Sequence, residues 1–293
     1  MRPRPWNIGG RRLGGNRPLI MGIVNVTPDS FFDGGLYNSR DKALRHCEQM
    51  IASGADIIDV GGESTRPGSE SVSAEEETKR VSGIIREITA RFSVPVSIDT
   101  AKAAVAEAAL AEGAVIINDV TGFTGDPRMA ETAAGNKTGV VLGHILGTPR
   151  TMQDSPRYAD VVKEVREFLQ GRVEHLEAVG VPRENIAVDP GIGFGKQLVH
   201  NYQIIAHLED LETLGCPVVM GMSRKSFIGK TSGLESSDRL QPSAAAATLA
   251  ALKGASVLRV HDVAQTWEQL RIIEAILSEG EVMSEERGMG SEE

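Results

Sequence analysis

Eight short apolar runs in this sequence each end in a polar or ionisable side chain. The first five end at Asn25, Asp59, Asp99, Asn118-Asp119 and His144. The sixth ends at Asp189, the seventh at Ser223-Arg224-Lys225 and the eighth at Arg259, with His261 and Asp262 just beyond. Solubility does not demand a polar group at the same place in every run, so a shared site is the simpler reading. Asp99, Asn118 and Asp189 follow apolar residues and are poorly solvated, which makes them seek hydrogen-bond donors or cations. A flat heterocycle with several N–H groups, such as an aminopyrimidine, offers such donors. Arg66, Lys225, Arg259 and His261 have the opposite character and suit an anion with several oxygens. The expected site is therefore two-faced, one part for a polar ring and one for phosphate or carboxylate. The competing reading is that these acids and bases only neutralise one another.

The stretch GMSRKSFIGKT ends like a nucleotide-phosphate loop. That motif needs a glycine five residues before its second glycine, and Arg224 stands there instead. The Gly229-Lys230-Thr231 ending is thus read as chance. Ser223-Arg224 lies where a strand should meet a helix N-terminus, whose free N–H groups attract anions. No H-E-x-x-H or Cys/His cluster points to zinc. The glycines of DPGIGFGK fit either close backbone approach by a ligand or a tight loop.

Something must hold these residues together. β-Branched runs at 19–24, 57–60, 96–98, 115–118, 140–142, 186–189, 218–221 and 257–260 read as strands. Between them, helical patterns occupy 41–53, 74–91, 101–111, 127–134, 160–179, 201–214, 243–253 and 266–277. Short, nearly continuous apolar strands suit a parallel sheet covered by helices. Eight strand–helix units in 293 residues predict an α/β chain folded as a single (β/α)8 barrel of the TIM type, whose strand C-termini build the site. A doubly wound sheet is the alternative, but no G-x-G-x-x-G follows the first strand. The barrel is expected over 18–278. Residues 1–17 form an N-terminal extension, either a hairpin at the barrel bottom or a loose terminus. Residues 279–293 form an acidic tail expected to be disordered.

Composition narrows the classes. The formal charge is −9, and the last fifteen residues hold six acids against one arginine, five of those nine net charges. The body is only mildly acidic, which argues against nucleic-acid binding. Two cysteines, Cys47 and Cys216, make no disulfide framework and suit a reducing cytoplasm. No apolar stretch is long enough for a membrane span, and the basic N-terminus lacks the apolar core of a secretory signal.

The motifs IVNVTPDSF, DVGGESTRPG, SIDTAKAAVAEAAL, INDVTG, DPGIGFGK, GMSRKSFIG and RVHDV, in this order over nearly the whole chain, resemble the dihydropteroate synthase family. The resemblance implies a homodimeric barrel in which 4-aminobenzoate displaces diphosphate from 6-hydroxymethyl-7,8-dihydropterin diphosphate, assisted by Mg2+. It implies sulfonamides as inhibitors. By motif, Asp99, Asn118, Asp189 and Lys225 hold the pterin. Asn25, Arg66, Arg259 and His261 handle the diphosphate, with Asn25 on the Mg2+. Thr65, Pro67, Phe194, Ser223 and Lys225 frame 4-aminobenzoate. Asp99, Lys225, Asn25, Arg259 and His261 are the expected catalytic set. Loops 27–35 and 63–71, rich in Gly, Pro and Ser, are expected to close over the substrates. Three positions depart from the family. Gly143 stands where methionine commonly lines the pterin pocket and predicts a roomier pocket. Phe32 stands where serine is common and predicts altered lid closure. Gln241-Pro242 replaces Gly-Ser and predicts a different helix start. Two other functions share the pterin acids: a corrinoid-linked methyltransferase domain and a non-catalytic pterin-binding paralogue. The first needs neither SRKSFIG nor RVHDV. The second is discriminated by turnover.

Overall fold

Two three-residue strands, β1 (Trp6–Ile8) and β2 (Arg11–Leu13), pair as an antiparallel hairpin ahead of the main sheet. They belong to a computed structural model that describes residues 3–27, 35–65 and 68–289. Phe32, Arg66 and Pro67 lie outside the described residues. The main strands are β3 (Leu19–Asn25), β4 (Ile57–Gly61), β5 (Val96–Asp99), β6 (Ile116–Asp119), β7 (Gly139–Gly143), β8 (Ile186–Asp189), β9 (Val219–Gly221) and β10 (Val257–Val260). Among the described residues they form one parallel sheet in the order β8-β7-β6-β5-β4-β3-β10-β9. A bridge between Val188 and Val218 brings β8 against β9 and rounds the sheet into a barrel.

Strand period decides what faces inward, because successive side chains point to opposite sides. Leu19, Met21, Ile57, Ile116, Val141, Ala187, Val219 and Val257 pack together inside the barrel with Trp6 and Ile8 of the hairpin. The alternate residues, among them Ile20, Ile58, Ile98, Ile117 and Val188, pack outward in the main core shared with the helices. Counting on in twos from the interior set reaches Asn25, Asp59, Asn118, Asp189 and Arg259. The hairpin fills the N-terminal end, so the polar ends own the other mouth.

Nine helices are found among the described residues: α1 (Gly35–Ala52), α2 (Ala74–Arg91), α3 (Ala103–Ala111), α4 (Met129–Asn136), α5 (Val161–Val179), α6 (Leu198–Ala206), α7 (Ser226–Ser232), α8 (Leu240–Leu252) and α9 (Val263–Met289). Helix α2 shows why such segments fold. Ser73 caps it by accepting the Glu76 N–H, and Glu75, Glu76 and Glu77 suit the positive end of the dipole. Val81, Ile84, Ile85 and Ile88 make its buried stripe. No helix among the described residues is long and apolar enough to cross a membrane.

Three details differ from the sequence expectation. The helix expected over 201–214 ends at Ala206, where Lys253 Nζ binds the Ala206 carbonyl at 2.7 Å, and a 3-10 segment, Leu208–Leu214, follows. Helix α7 was too short to show a period. Helix α9 runs through most of the acidic tail, whose glutamates are sound helix formers with no proline among them.

Trp6 ties the hairpin to the barrel. It is 1% exposed, and its indole Nε1–H donates to the Asn185 carbonyl at 2.8 Å. Trp6→Ala should cost about 3–5 kcal/mol, read as a lower urea midpoint.

Candidate active site

Arg259 is the hub of the barrel interior. Its Nε donates to Asp59 Oδ2 and its Nη2 to Asp99 Oδ2, both at 2.6 Å. Asn118 Nδ2 reaches the same Asp59 oxygen at 3.1 Å. The other oxygen, Asp59 Oδ1, is buried with no hydrogen-bond partner among the described residues, as is the hydroxyl of Ser97, its neighbour in register on β5. Burial pushes the Asp99 carboxyl up to about 7, with Arg259 opposing and Asp59 reinforcing the rise. Burial also works against the charge on Arg259, but Asp59 and Asp99 outweigh it and hold the guanidinium above its ordinary value. Mutual neutralisation therefore accounts for part of the cluster. It leaves two inward-facing polar oxygens unmet, and buried polar groups without partners are rare.

Lys225 comes from the short turn between β9 and α7. Its ammonium donates to the Ile192 carbonyl and sits 4.2 Å from the centre of the Phe194 ring. Burial lowers it to about 8, with Asp189 opposing and Arg259 adding to the fall. Asp189 is itself steadied by the Gly191 N–H, 2.7 Å from Oδ1. The expected pterin set of Asp99, Asn118, Asp189 and Lys225 thus gathers around Arg259 and Asp59.

The rim is organised by two rungs between the loops after β9 and β10. His261 gives its backbone N–H to Ser223 Oγ at 3.2 Å, and its Nδ1 stands 3.1 Å from the same oxygen. Arg224 pairs with both oxygens of Asp262, at 2.6 and 3.0 Å. Arg224 is in the left-handed region, φ 58°, and its N–H is held by Ser243 Oγ at 2.9 Å. That backbone costs about 1–3 kcal/mol. Helix α7 starts only at Ser226, so the expected helix N-terminus lies beyond Ser223-Arg224. The Gly229-Lys230-Thr231 sequence falls inside α7, with Lys230 exposed.

Other strand ends serve structure. Asp119 is fully buried and accepts the Thr121 N–H and hydroxyl and the Phe123 N–H, so it builds the turn after β6. His144 is buried behind the barrel wall beside Lys196, at 2.8 Å from Nδ1 to Nζ. The roomier pocket expected at Gly143 is not there. A Cβ on Gly143 would lie 2.7 Å from the Val120 Cα, and one on Gly122 would lie 2.7 Å from the Gly143 carbonyl oxygen. The room that a side chain would use is filled by the neighbouring backbone. Pro242 lies in the first turn of α8, where its missing N–H costs no helical bond.

Sequence reasoning placed Asp59 at a strand end but gave it no partner; its partner is 200 residues away. Lys196 was missed, although a lysine closing a glycine-rich, apolar loop was a signal. Thr65 is half-buried just after β4. Its loop is anchored by Glu63, which pairs with Lys102 and accepts the Val72 N–H at 3.2 Å; Lys102 also binds the buried Glu77 at 2.6 Å. Asn25 ends β3, half-buried, beside Gly61 at the mouth. No group of three or more His, Cys, Asp or Glu side chains among the described residues could hold a metal. A hard cation carried in by a diphosphate needs only one or two protein oxygens, and the Asn25 amide fits that smaller demand.

A profile of the pterin binding enzymes matches residues 21–261. Among curated proteins, the chain is 46% identical to dihydropteroate synthase of Escherichia coli over 269 residues, 92% of this chain and 95% of that one. Among solved structures, it resembles Yersinia pestis dihydropteroate synthase with a sulfonamide drug complex, with a TM-score of 0.89 and 43% identity over 94% of this chain and all of that one. It likewise resembles Xanthomonas albilineans dihydropteroate synthase with 4-aminobenzoic acid, with a TM-score of 0.88 and 44% identity over 94% and 99% of the two chains.

Proposed function

Because this chain belongs to the dihydropteroate synthase family of pterin binding enzymes, we propose a division of labour among its residues for that reaction. The enzyme condenses 6-hydroxymethyl-7,8-dihydropterin diphosphate with 4-aminobenzoate to give 7,8-dihydropteroate and diphosphate. The observation that carries the residue assignment is the barrel interior, where Asp59 and Asp99 share Arg259 while Asp59 Oδ1 stays unmet. An aminopyrimidine ring brings the N–H donors that this oxygen, Asn118 and Asp189 lack. Lys225, between Phe194 and the acids, donates to the ring's acceptor edge.

The path begins with the C–O bond. Its cleavage leaves positive charge on the pterin methylene, which Asp99 stabilises as a fixed carboxylate in a poorly solvated site. The departing diphosphate meets His261 and Asn25 at the mouth, and the family motif assigns Arg66 to the same anion. Arg259 has Nε and Nη2 committed to acids, and Nη1 is the nitrogen it turns toward the leaving group. Mg2+, held by the Asn25 amide oxygen and the diphosphate, would draw off the charge that builds on the leaving oxygens. The arylamine is already a nucleophile, so it needs no activating base: its nitrogen forms the C–N bond with the methylene cation, and the resulting anilinium gives up one proton to solvent or to the departing diphosphate. Ser223 receives its carboxylate, while Thr65, Pro67 and Phe194 flank its ring. A homodimer belongs to the same proposal, supported by the exposed Leu249, Leu252, Ile272 and Ile276 on α8 and α9.

Diphosphate release should depend on 4-aminobenzoate and on Mg2+ together. Purified protein that binds the pterin diphosphate, yet releases no diphosphate when both are supplied, would sink this reading and favour a pterin-binding protein without turnover.

A further inference from the structure

We propose that Lys196 is a positioning residue for the arylamine half of the site: it fixes Phe194, and through Phe194 the cation of Lys225. The side chain is only 3% exposed, yet no carboxylate among the described residues lies within ion-pair distance of it. Its Nζ donates to the Phe194 carbonyl at 3.0 Å and lies 2.8 Å from His144 Nδ1. These contacts connect the loop after β8 to the end of β7. His144 is a firm back wall, since its ring meets Phe168 edge-on with centroids 4.9 Å apart.

The rest of that loop is held by other groups. Gly193 gives its N–H to Asn201 Oδ1 at 2.7 Å and accepts Gln153 Nε2 at 2.9 Å, and Gly195 accepts the Tyr158 hydroxyl at 2.9 Å. Gly191, at φ 68°, packs directly on the His144 carbonyl, where no Cβ fits. Lys196 is the group that takes the carbonyl of Phe194 itself. The ring of Phe194 then carries the Lys225 ammonium at 4.2 Å. The Ile192 carbonyl keeps its own hold on Lys225, so a shift of Phe194 disturbs the arylamine face first, where a misplacement near 1 Å can cost about a hundredfold in rate.

The charge state agrees with this role. Burial holds the Lys196 amine well below the ordinary lysine range, with Asp189 opposing and Lys225 reinforcing the fall. Burial likewise lowers His144, to about 3, and Lys196 adds to that. Burial thus pushes both partners toward their neutral forms, and the contact between them is a hydrogen bond rather than an ion pair.

The test rests on the assignment of Phe194 and Lys225 to the site, and uses the full-length enzyme. Lys196→Met keeps the length of the side chain and strands no charge, so it removes the hydrogen bonds alone. Lys196→Gln keeps an N–H for the Phe194 carbonyl. Lys196→Met should raise KM for 4-aminobenzoate about tenfold, with KM for the pterin diphosphate within about twofold, and Lys196→Gln should recover most of that loss. An active parent whose Lys196→Met variant keeps its KM for 4-aminobenzoate overturns the positioning role alone. An inactive parent instead sinks the reading of the site. If Lys196→Met gives no soluble protein, Lys196→Leu takes its place: a rise in KM for 4-aminobenzoate alone supports the role, and parental values or equal rises in both KM values overturn it.

Discussion

Lys225→Ala should abolish turnover, and Lys230→Ala, five residues along the same segment, should leave it within about twofold. Lys225 Nζ is buried between the Ile192 carbonyl, the Phe194 ring and the field of Asp189. Alanine there removes the donor to the pterin and one of the cations near Asp189. It also empties one face of the Phe194 ring. Loss of one preorganised electrostatic partner costs about a hundred- to a thousandfold in kcat, and Lys225 serves both substrates, so the upper figure is expected. Lys230 is exposed on α7 and touches none of these groups. Steady-state rates of diphosphate release for the two variants decide the matter. Comparable losses in both would mean that the Gly-Lys-Thr ending does hold phosphate.

The second large effect is Asp99→Asn, which should lower kcat about a thousandfold while leaving the protein at least as heat-stable at pH 8. Folding raises the Asp99 carboxyl from its ordinary 3.8 to about 7, mainly through burial. The folded state therefore holds that proton more tightly than the unfolded chain does. Protonation favours folding, and the stability it lends is full below about pH 4 and is lost as pH rises through about 7. At pH 8 the charged carboxylate is a net cost, only partly offset by Arg259. Asparagine removes that cost, and Arg259 keeps Asp59 at 2.6 Å. Catalysis needs the charge that folding resists, which is the usual form of a stability–activity trade-off. In the parent, kcat/KM should fall on the acid side with an apparent pKa near 7. A pH profile without that limb, or a melting temperature several degrees below the parent at pH 8, would contradict the assignment.

These two residues also show what a linear sequence reveals. Asp99 and Lys225 were both recognisable as polar ends of apolar runs, because strand period is written locally in residue type. The eight strands were legible within about two residues for the same reason, and with them the barrel. The partners were not. Arg259 pairs with Asp59 and Asp99 across 200 and 160 residues, and only barrel closure brings them together. Lys196 escaped notice because its role depends on two groups from different loops, a histidine ring nitrogen and a backbone carbonyl. Helix α7 escaped for want of length, and the backbone bend at Arg224 left no mark in composition. Gly143 misled because the absence of a side chain looks like space until the neighbouring chain is in view.

That last contact has a consequence for how the site can evolve. A substituent on Gly143 would meet the backbone of Val120 and Asp119, and the Gly143 carbonyl oxygen stands where a substituent on Gly122 would go. Any residue larger than glycine at 143 forces the 119–122 turn outward. That turn has its own ties, since Arg172 binds the carbonyls of Gly122 and Phe123 at 2.8 and 2.9 Å. Restoring the methionine common among relatives is thus not a single step. It requires a concerted change in two loops, and each half alone is a loss. This part of the β7 end is shielded from point mutation, so change at the barrel mouth has to begin at side chains elsewhere.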